Sequence, residues 1–401
     1  MPPETDVSAP DRGDGLRTGV YVGEGASHSW TWFVDLLEKT GHRRLSFLDE
    51  ESFSLRVGDL DVFLLSGGDT FGVARALGPA GARALRDFVE GGGLYIGSCA
   101  GAYLPLNSSK EFLRDFNFVR SRINNLAKDL PPVRRLPSKF STSYGCAYII
   151  HPVREEVRVR LTEDFPVWGG REIRVPLYGG PPLEASGDVE PKAYYAGFTD
   201  RTVFLTDPEI AERVYLGKVA ACQKRVGEGR MVLLGPHFEH PGFPEGNDVV
   251  RCWLDSHAAG PRSRSRGVEA EPGGERGGLS QAGLKAFRRE VSNMRIRAHA
   301  LARQSVSWRI GAKVYEPEKA AYFLETIWKR LRRLPSAGQG GPAGDAEEVL
   351  VAEASACHRR MRELAARIES GEDSQSAAAV MFGALKKRAA GFLELYFRQE
   401  G

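Results

Sequence analysis

The sequence predicts an α/β domain with a mostly parallel sheet over residues 18–255, followed by an all-α region over residues 279–401. Three observations carry this reading. Strand-like and helix-like apolar runs alternate from residue 18 to residue 96, the pattern of β-α-β units. Residues 256–278 (SHAAGPRSRSRGVEAEPGGERGG) are rich in Gly, Pro, Ser and charge and hold almost nothing to bury, so they read as a linker. Beyond them, apolar residues recur at spacings of three and four.

Taken in order, residues 18–22 (TGVYV) form an apolar run stopped by Gly23 and Gly25, a strand entering a loop. Residues 30–39 carry Phe33, Leu36 and Leu37 at helical spacing, and residues 44–48 read as a second strand. The run VFLL at 62–65 is a buried strand ended by Ser66, Gly67 and Gly68. Residues 80–90 are amphipathic through Leu85, Phe88 and Val89. Gly91, Gly92 and Gly93 end that helix, and Leu94, Tyr95 and Ile96 begin another strand. Right-handed crossovers place the C-terminal ends of these strands along one edge, where ligands bind in open α/β sheets. Residues 141–219 are more strand-like, with runs at 148–150, 157–161 and 203–205. The run at 157–161 alternates apolar residues with Arg, as a half-exposed antiparallel strand does. The last strand of the domain, MVLL at 231–234, runs into Gly235, Pro236 and His237.

Composition bounds the remaining possibilities. A chain of 401 residues holds two or three domains, and a formal net charge of +3 argues neither for nor against nucleic acid. No stretch is apolar enough for a membrane span. Residues 1–17, rich in Pro, Asp and Gly, are expected to be disordered and lack the pattern of a secretory signal, so a cytoplasmic location is expected. The five cysteines are scattered, with no C-x-x-C pair, which argues against a disulfide framework and a zinc site. Cys146, Cys222, Cys252 and Cys357 read as small buried apolar side chains. No metal or cofactor site is read.

Cys99 differs through its neighbours. Gly97-Ser98-Cys99-Ala100-Gly101 follows a strand and precedes a helix start, the pattern of a nucleophile elbow. The glycines are needed because the turn leaves no room for Cβ atoms, and the helix start favours thiolate. The backbone N–H of Ala100 is one oxyanion donor. Gly67-Gly68-Asp69 ends the preceding strand, which makes Gly68 the second donor. Past the final strand, His237 and Glu239 stand two residues apart, a spacing that puts both on one face of a strand. His237 then serves Cys99 as base, and Glu239 orients the imidazole. His240 competes from one register along but lacks an acid two residues later. His28 and His151 are weaker candidates, and His151 reads as a loop residue.

The order GGD, G-x-C-x-G and H-x-E resembles the class I glutamine amidotransferases. The strings GGDTF, GSCAGAY and GPHFEHP, with Tyr178-Gly179-Gly180-Pro181 between them, look most like the amidotransferase-like domain at the N-terminus of biotin–protein ligases. The resemblance covers residues 18–255. It implies a flavodoxin-like sheet, nucleophile Cys99, base His237, acid Glu239, and a substrate-binding surface from Gly67, Gly68, Asp69, Ala100, Tyr178, Gly179 and Gly180. It also implies a cysteine-dependent hydrolase or amidotransferase acting on a C–N bond of a small-molecule or peptide amide. No adenylate loop for biotin ligation and no P-loop is present, so glutaminase activity requires a synthetase partner in trans. GGDTF and CAGAY are also similar to the peptidase E and cyanophycinase group, whose members use serine where this chain has Cys99. Two alternatives stay open: a peptidase-like enzyme, and a non-catalytic module that binds a metabolite or peptide on the same fold.

In the C-terminal region, Leu284, Phe287, Val291, Met294, Ala298 and Leu301 share a helical stripe. Residues 321–334, 346–368 and 377–397 are further helices, with a second break at 335–345. Trp308, Phe323 and Trp328 read as core. Lys and Arg exceed Asp and Glu between residues 285 and 333. The expected use is association: packing against the α/β domain or, as a homo-oligomer, a second copy of it, or docking an acidic partner. Neither nucleic-acid binding nor chemistry is expected there.

Overall fold

The computed structural model describes residues 15–125, 151–260, 280–311, 313–334 and 345–400. The run at 148–150, Cys146, and the segments at 261–278 and 335–344 lie outside them. The chain begins with β1 (Thr18–Tyr21), α1 (Trp30–Lys39), β2 (Leu45–Leu48) and α2 (Glu50–Arg56). Next come β3 (Val62–Leu65), α3 (Thr70–Glu90), β4 (Leu94–Ser98) and the one-turn α4 (Ala100–Tyr103). A strand-rich middle follows: β5 (Val153–Leu161), β6 (Glu172–Leu177), β7 (Glu190–Phe204), α5 (Pro208–Tyr215), β8 (Val219–Val226), β9 (Gly229–Leu234) and α6 (Pro244–Ala259).

One mixed sheet joins the nine strands in the order β2-β1-β3-β4-β9-β8-β7-β5-β6. The half from β2 to β9 is parallel, and β8, β7, β5 and β6 continue it with antiparallel pairings. β1 and β3 are buried throughout, as fits apolar runs without polar alternation. The parallel strands β3, β4 and β9 stand side by side, in register from Val62 with Leu94 and from Leu94 with Arg230. Their C-terminal ends bring Ser66-Gly67-Gly68, Cys99 and the loop after Leu234 to one edge.

The helix expected at 80–90 starts earlier, at Thr70, and bends at Gly78, which takes φ 58° and ψ −168° ahead of Pro79. Pro79 has no N–H to give to an α-helical ladder, which is why periodicity was readable only beyond it. The first four residues of the segment read as a linker, 256–259, are the last turn of α6.

Beyond it lie α7 (Gln281–Leu301), β10 (Trp308–Ile310), β11 (Lys313–Tyr315), α8 (Lys319–Leu331), α9 (Asp345–Glu369) and α10 (Gln375–Glu400). The C-terminal region is therefore helical but not all-α, because β10 and β11 form an antiparallel hairpin. Strands of three residues each are too short to show alternation in sequence. Trp308 and Phe323 are buried, as expected, while Trp328 is half-buried beneath the Arg295 guanidinium.

The two regions pack together along α1 and β2. Trp30 meets Phe323 and Phe47 meets Phe397. Arg330, fully buried, pairs with Asp35 and Glu38 at 2.9 Å each. Lys386 donates to the Gly23 carbonyl at 2.6 Å. No helix among the described residues is long and apolar enough to cross a membrane.

Candidate active site

Cys99 sits between β4 and α4 with φ 51° and ψ −105°, in the half of backbone space that side chains other than glycine rarely occupy. The flanking glycines make the turn possible. A Cβ on Gly97 would lie 2.3 Å from the Gly101 carbonyl oxygen, and one on Gly101 would lie 2.0 Å from that of Leu65. The sulfur is 3.8 Å from the Tyr178 carbonyl oxygen.

Cys99 and His237 line the same cavity, and each shifts the titration of the other. Nδ1 of His237 donates to Glu239 at 2.7 Å, which leaves Nε2 as the nitrogen not engaged by the carboxylate. Both His237 and Glu239 are buried. They do not lie on a strand: β9 ends at Leu234, and a turn beyond it brings the two side chains together. That turn is tied from several sides. The His237 N–H donates to the Pro176 carbonyl at 2.9 Å, and the Asn247 amide donates to the carbonyls of Phe238 and His240 at 2.9 and 3.0 Å. Glu239 is fixed by Ser98, whose hydroxyl lies 2.9 Å from each carboxylate oxygen, and by Ser66 at 3.4 Å. Ser66 donates in turn to Ser29 at 2.7 Å.

Burial, and to a lesser degree the Glu239 charge, push the Cys99 thiol up. The neighbouring His237, with the charge of Lys313, outweighs them and holds the thiol below its ordinary range. Burial likewise lowers His237, but the Glu239 carboxylate and the Cys99 sulfur together carry it well above the usual imidazole value. Both shifts run toward the charged forms, thiolate and imidazolium. Burial raises Cys222 and Cys357 to about 12, which makes them inert small apolar residues. His240 is lowered to about 4, chiefly by burial, and packs on Trp32, with ring centroids 4.5 Å apart.

Two cavities meet at Cys99. The first, about 460 Å³, is lined by Ala100, Asp69, Gly179 and His151 among others. The second, about 410 Å³, is lined by His237, Tyr178, Trp32 and His28 among others. Gly68, Cys99 and Lys313 line both. Gly67 lines the second, and a Cβ there would lie 2.8 Å from the His237 ring, so glycine is what lets the imidazole seat. Asp69 caps α3, accepting from the Phe71 N–H at 3.0 Å. Gly180 packs against Gly235, whose carbonyl oxygen would lie 1.6 Å from an added Cβ. The Tyr178-Gly179-Gly180-Pro181 strip is held by three tyrosine hydroxyls, Tyr103 on Gly179, Tyr215 on Gly180 and Tyr195 on Pro181. His28 and His151 enter the cavity walls, where burial keeps both neutral.

Sequence reasoning missed Ser98, Ser66, Ser29 and Asn247, which position the His237–Glu239 pair, and it missed Lys313. Among the described residues, no group of three or more His, Cys, Asp or Glu is placed to hold a metal ion.

Residues 57–115 match the family described as biotin-protein ligase, N terminal, a stretch that holds Gly68 and Cys99 but not His237 or Glu239. No curated protein matches the chain. Among solved structures, one described as a GMP synthase subunit from Thermoplasma acidophilum is 14% identical, with a TM-score of 0.38 over 61% of this chain and 96% of that one. A ThuA-like protein from Bacteroides uniformis is also 14% identical, with a TM-score of 0.36 over 62% of this chain and 95% of that one. A β-galactosidase from Bacillus circulans is 12% identical, with a TM-score of 0.35 over 60% of this chain and 31% of that one.

Proposed function

We propose that this chain is a cysteine-dependent enzyme of the class I glutamine amidotransferase-like kind that cleaves a C–N bond of an amide through an acyl-cysteine. The observation that carries the reading is the buried Cys99–His237–Glu239 arrangement at the strand ends, with the cysteine on a positive-φ elbow. The parallel strands β2-β1-β3-β4-β9 follow the 2-1-3-4-5 order of flavodoxin-like sheets, whose ligands bind at this edge. The family match over residues 57–115 also supports the reading.

In this mechanism the Cys99 thiolate attacks the amide carbonyl. The oxyanion is received by the backbone N–H groups of Gly68 and Ala100. The C–N bond breaks as His237 gives its Nε2 proton to the leaving nitrogen. Water or an acceptor amine then gives a proton to His237 and attacks the thioester, which restores the thiolate. Glu239 keeps Nδ1 protonated throughout. Ala100 lines the first cavity and His237 the second, so the acyl group occupies the first and the leaving or entering nitrogen the second.

The test is mass spectrometry of the whole chain after incubation with a glutamine-mimicking chloroketone. One adduct on Cys99, absent in Cys99→Ala and slowed in His237→Ala, is expected. A chain that stays unlabelled at Cys99 would overturn the reading in favour of a binding module.

A further inference from the structure

We propose that the C-terminal hairpin supplies a substrate-anchoring cation to this site: Lys313 binds a carboxylate carried by the acyl part of the amide. The inference rests on the Cys99 reading and deepens it.

Placement comes first. Lys313 is the first residue of β11, opposite Ile310 across the hairpin, and it lines both cavities together with Cys99 and Gly68. The tip of the hairpin reaches α3, where Gly311 takes φ 60° and a Cβ on it would lie 3.2 Å from an Asp69 carboxylate oxygen.

The hairpin is also held rigidly. The Trp308 indole donates to Ser374 at 2.9 Å. Gln375 receives the Arg309 N–H at 3.1 Å and donates to the Arg309 carbonyl at 2.6 Å. Trp308 and Tyr315 both pack on Phe382 of α10. A long side chain on so fixed a base delivers its charge to one place, as a recognition residue must.

Charge points to the ligand. Among the described residues lining the first cavity, Lys110, Arg122 and Lys313 bring three cations and Asp69 one carboxylate. His151 adds no charge, since burial lowers it to about 3. A cavity with this balance favours an anionic acyl group. Burial lowers Lys313, and the charges of Cys99 and Asp69 oppose that shift; the proton that leaves with the amine comes from His237, after the C–S bond has formed and as the C–N bond breaks.

Two alkylating probes of nearly equal size test this, iodoacetate and iodoacetamide, which differ in one negative charge. Lys313 used only to keep Cys99 ionised would move both rates alike. Lys313 used to bind an anion changes their ratio. In the full chain, Lys313→Met is expected to lower the iodoacetate-to-iodoacetamide rate ratio at Cys99 about ten-fold, the scale of one nearby charge in a partly screened site. Lys313→Arg should keep most of the ratio, and Arg309→Met, on the exposed face of the same hairpin, should leave it unchanged. An unchanged ratio in Lys313→Met, with iodoacetamide still labelling Cys99, overturns this inference and leaves the Cys99 reading standing. Failure of iodoacetamide to label wild-type Cys99 faster than Cys222 overturns both.

Discussion

At the scale of single residues, the thiol and the imidazole hold each other in the charged state. Burial opposes both charges; their mutual attraction favours them, with Glu239 adding to the imidazolium and Lys313 to the thiolate, while Glu239 opposes the thiolate. The sign of the pH dependence follows. Because the Cys99 thiol is held below its ordinary range, its alkylation should reach half its plateau rate at a lower pH than that of an ordinary thiol, while Cys222 stays silent at neutral pH. His237→Asn removes the group that lowers the thiol, so the midpoint of Cys99 alkylation should move to higher pH; a midpoint that does not move would separate the two residues. Glu239→Gln should lower turnover about 10²- to 10⁴-fold, the cost of losing the group that orients a catalytic imidazole. The alkaline limb of its pH profile should move to lower pH, because the carboxylate is what raises His237. Cys99, Gly68 and His237 were legible in the sequence because glycine spacing and strand ends constrain local backbone. The hydroxyls around Glu239, those of Ser98 and Ser66 with Ser29 behind Ser66, were not, because they meet only where separate segments converge. Gly180, grouped with the substrate surface in sequence, serves to let the strip pass Gly235.

At the scale of elements, the excess of Lys and Arg between residues 285 and 333 has a partner inside the chain. Arg330, Lys329 and Arg333 of the α8 end meet Asp35 and Glu38 on α1, and Tyr396 of α10 donates to Glu38 at 2.9 Å. Sequence showed the lopsided charge but not its destination, since the acids it meets lie about 300 positions earlier. A guanidinium buried to this degree is stable only while paired. Arg330→Met should therefore destabilise the protein by about 3 kcal/mol, read as a lower denaturant midpoint at unchanged slope, because it leaves two carboxylates short of a buried cation. Arg295 pairs with Glu325 on an exposed surface, so Arg295→Met should cost less than about 1 kcal/mol. The helices of this region were legible from their stripes. The hairpin was not, since WRI and KVY are each too short for any period to register.

At the scale of the whole molecule, the C-terminal region both covers the sheet domain and completes its cavities. Residues 18–255 read in sequence as a domain able to fold alone, since the segment after them has little to bury. The contacts across α1 and β2 point the other way. Removing residues 280–401 strips Phe323 from Trp30 and Phe397 from Phe47, contacts between side chains whose burial is worth about 2 kcal/mol each. It leaves Asp35 and Glu38 without Arg330, and it takes away Lys313, Glu316, Lys319 and Tyr322 from the wall of the second cavity. Two separable losses are expected in a chain of residues 15–260. Its thermal midpoint should fall by more than that of Arg330→Met. Even where it stays soluble at low temperature, the iodoacetate preference at Cys99 should fall to the level of Lys313→Met. Supplying residues 280–401 as a separate chain should restore the preference, because the contacts that seat the hairpin, on Ser374 and Gln375, lie within that segment. A truncated chain that keeps both its midpoint and its preference would show the helical region to be an appendage with no part in the site.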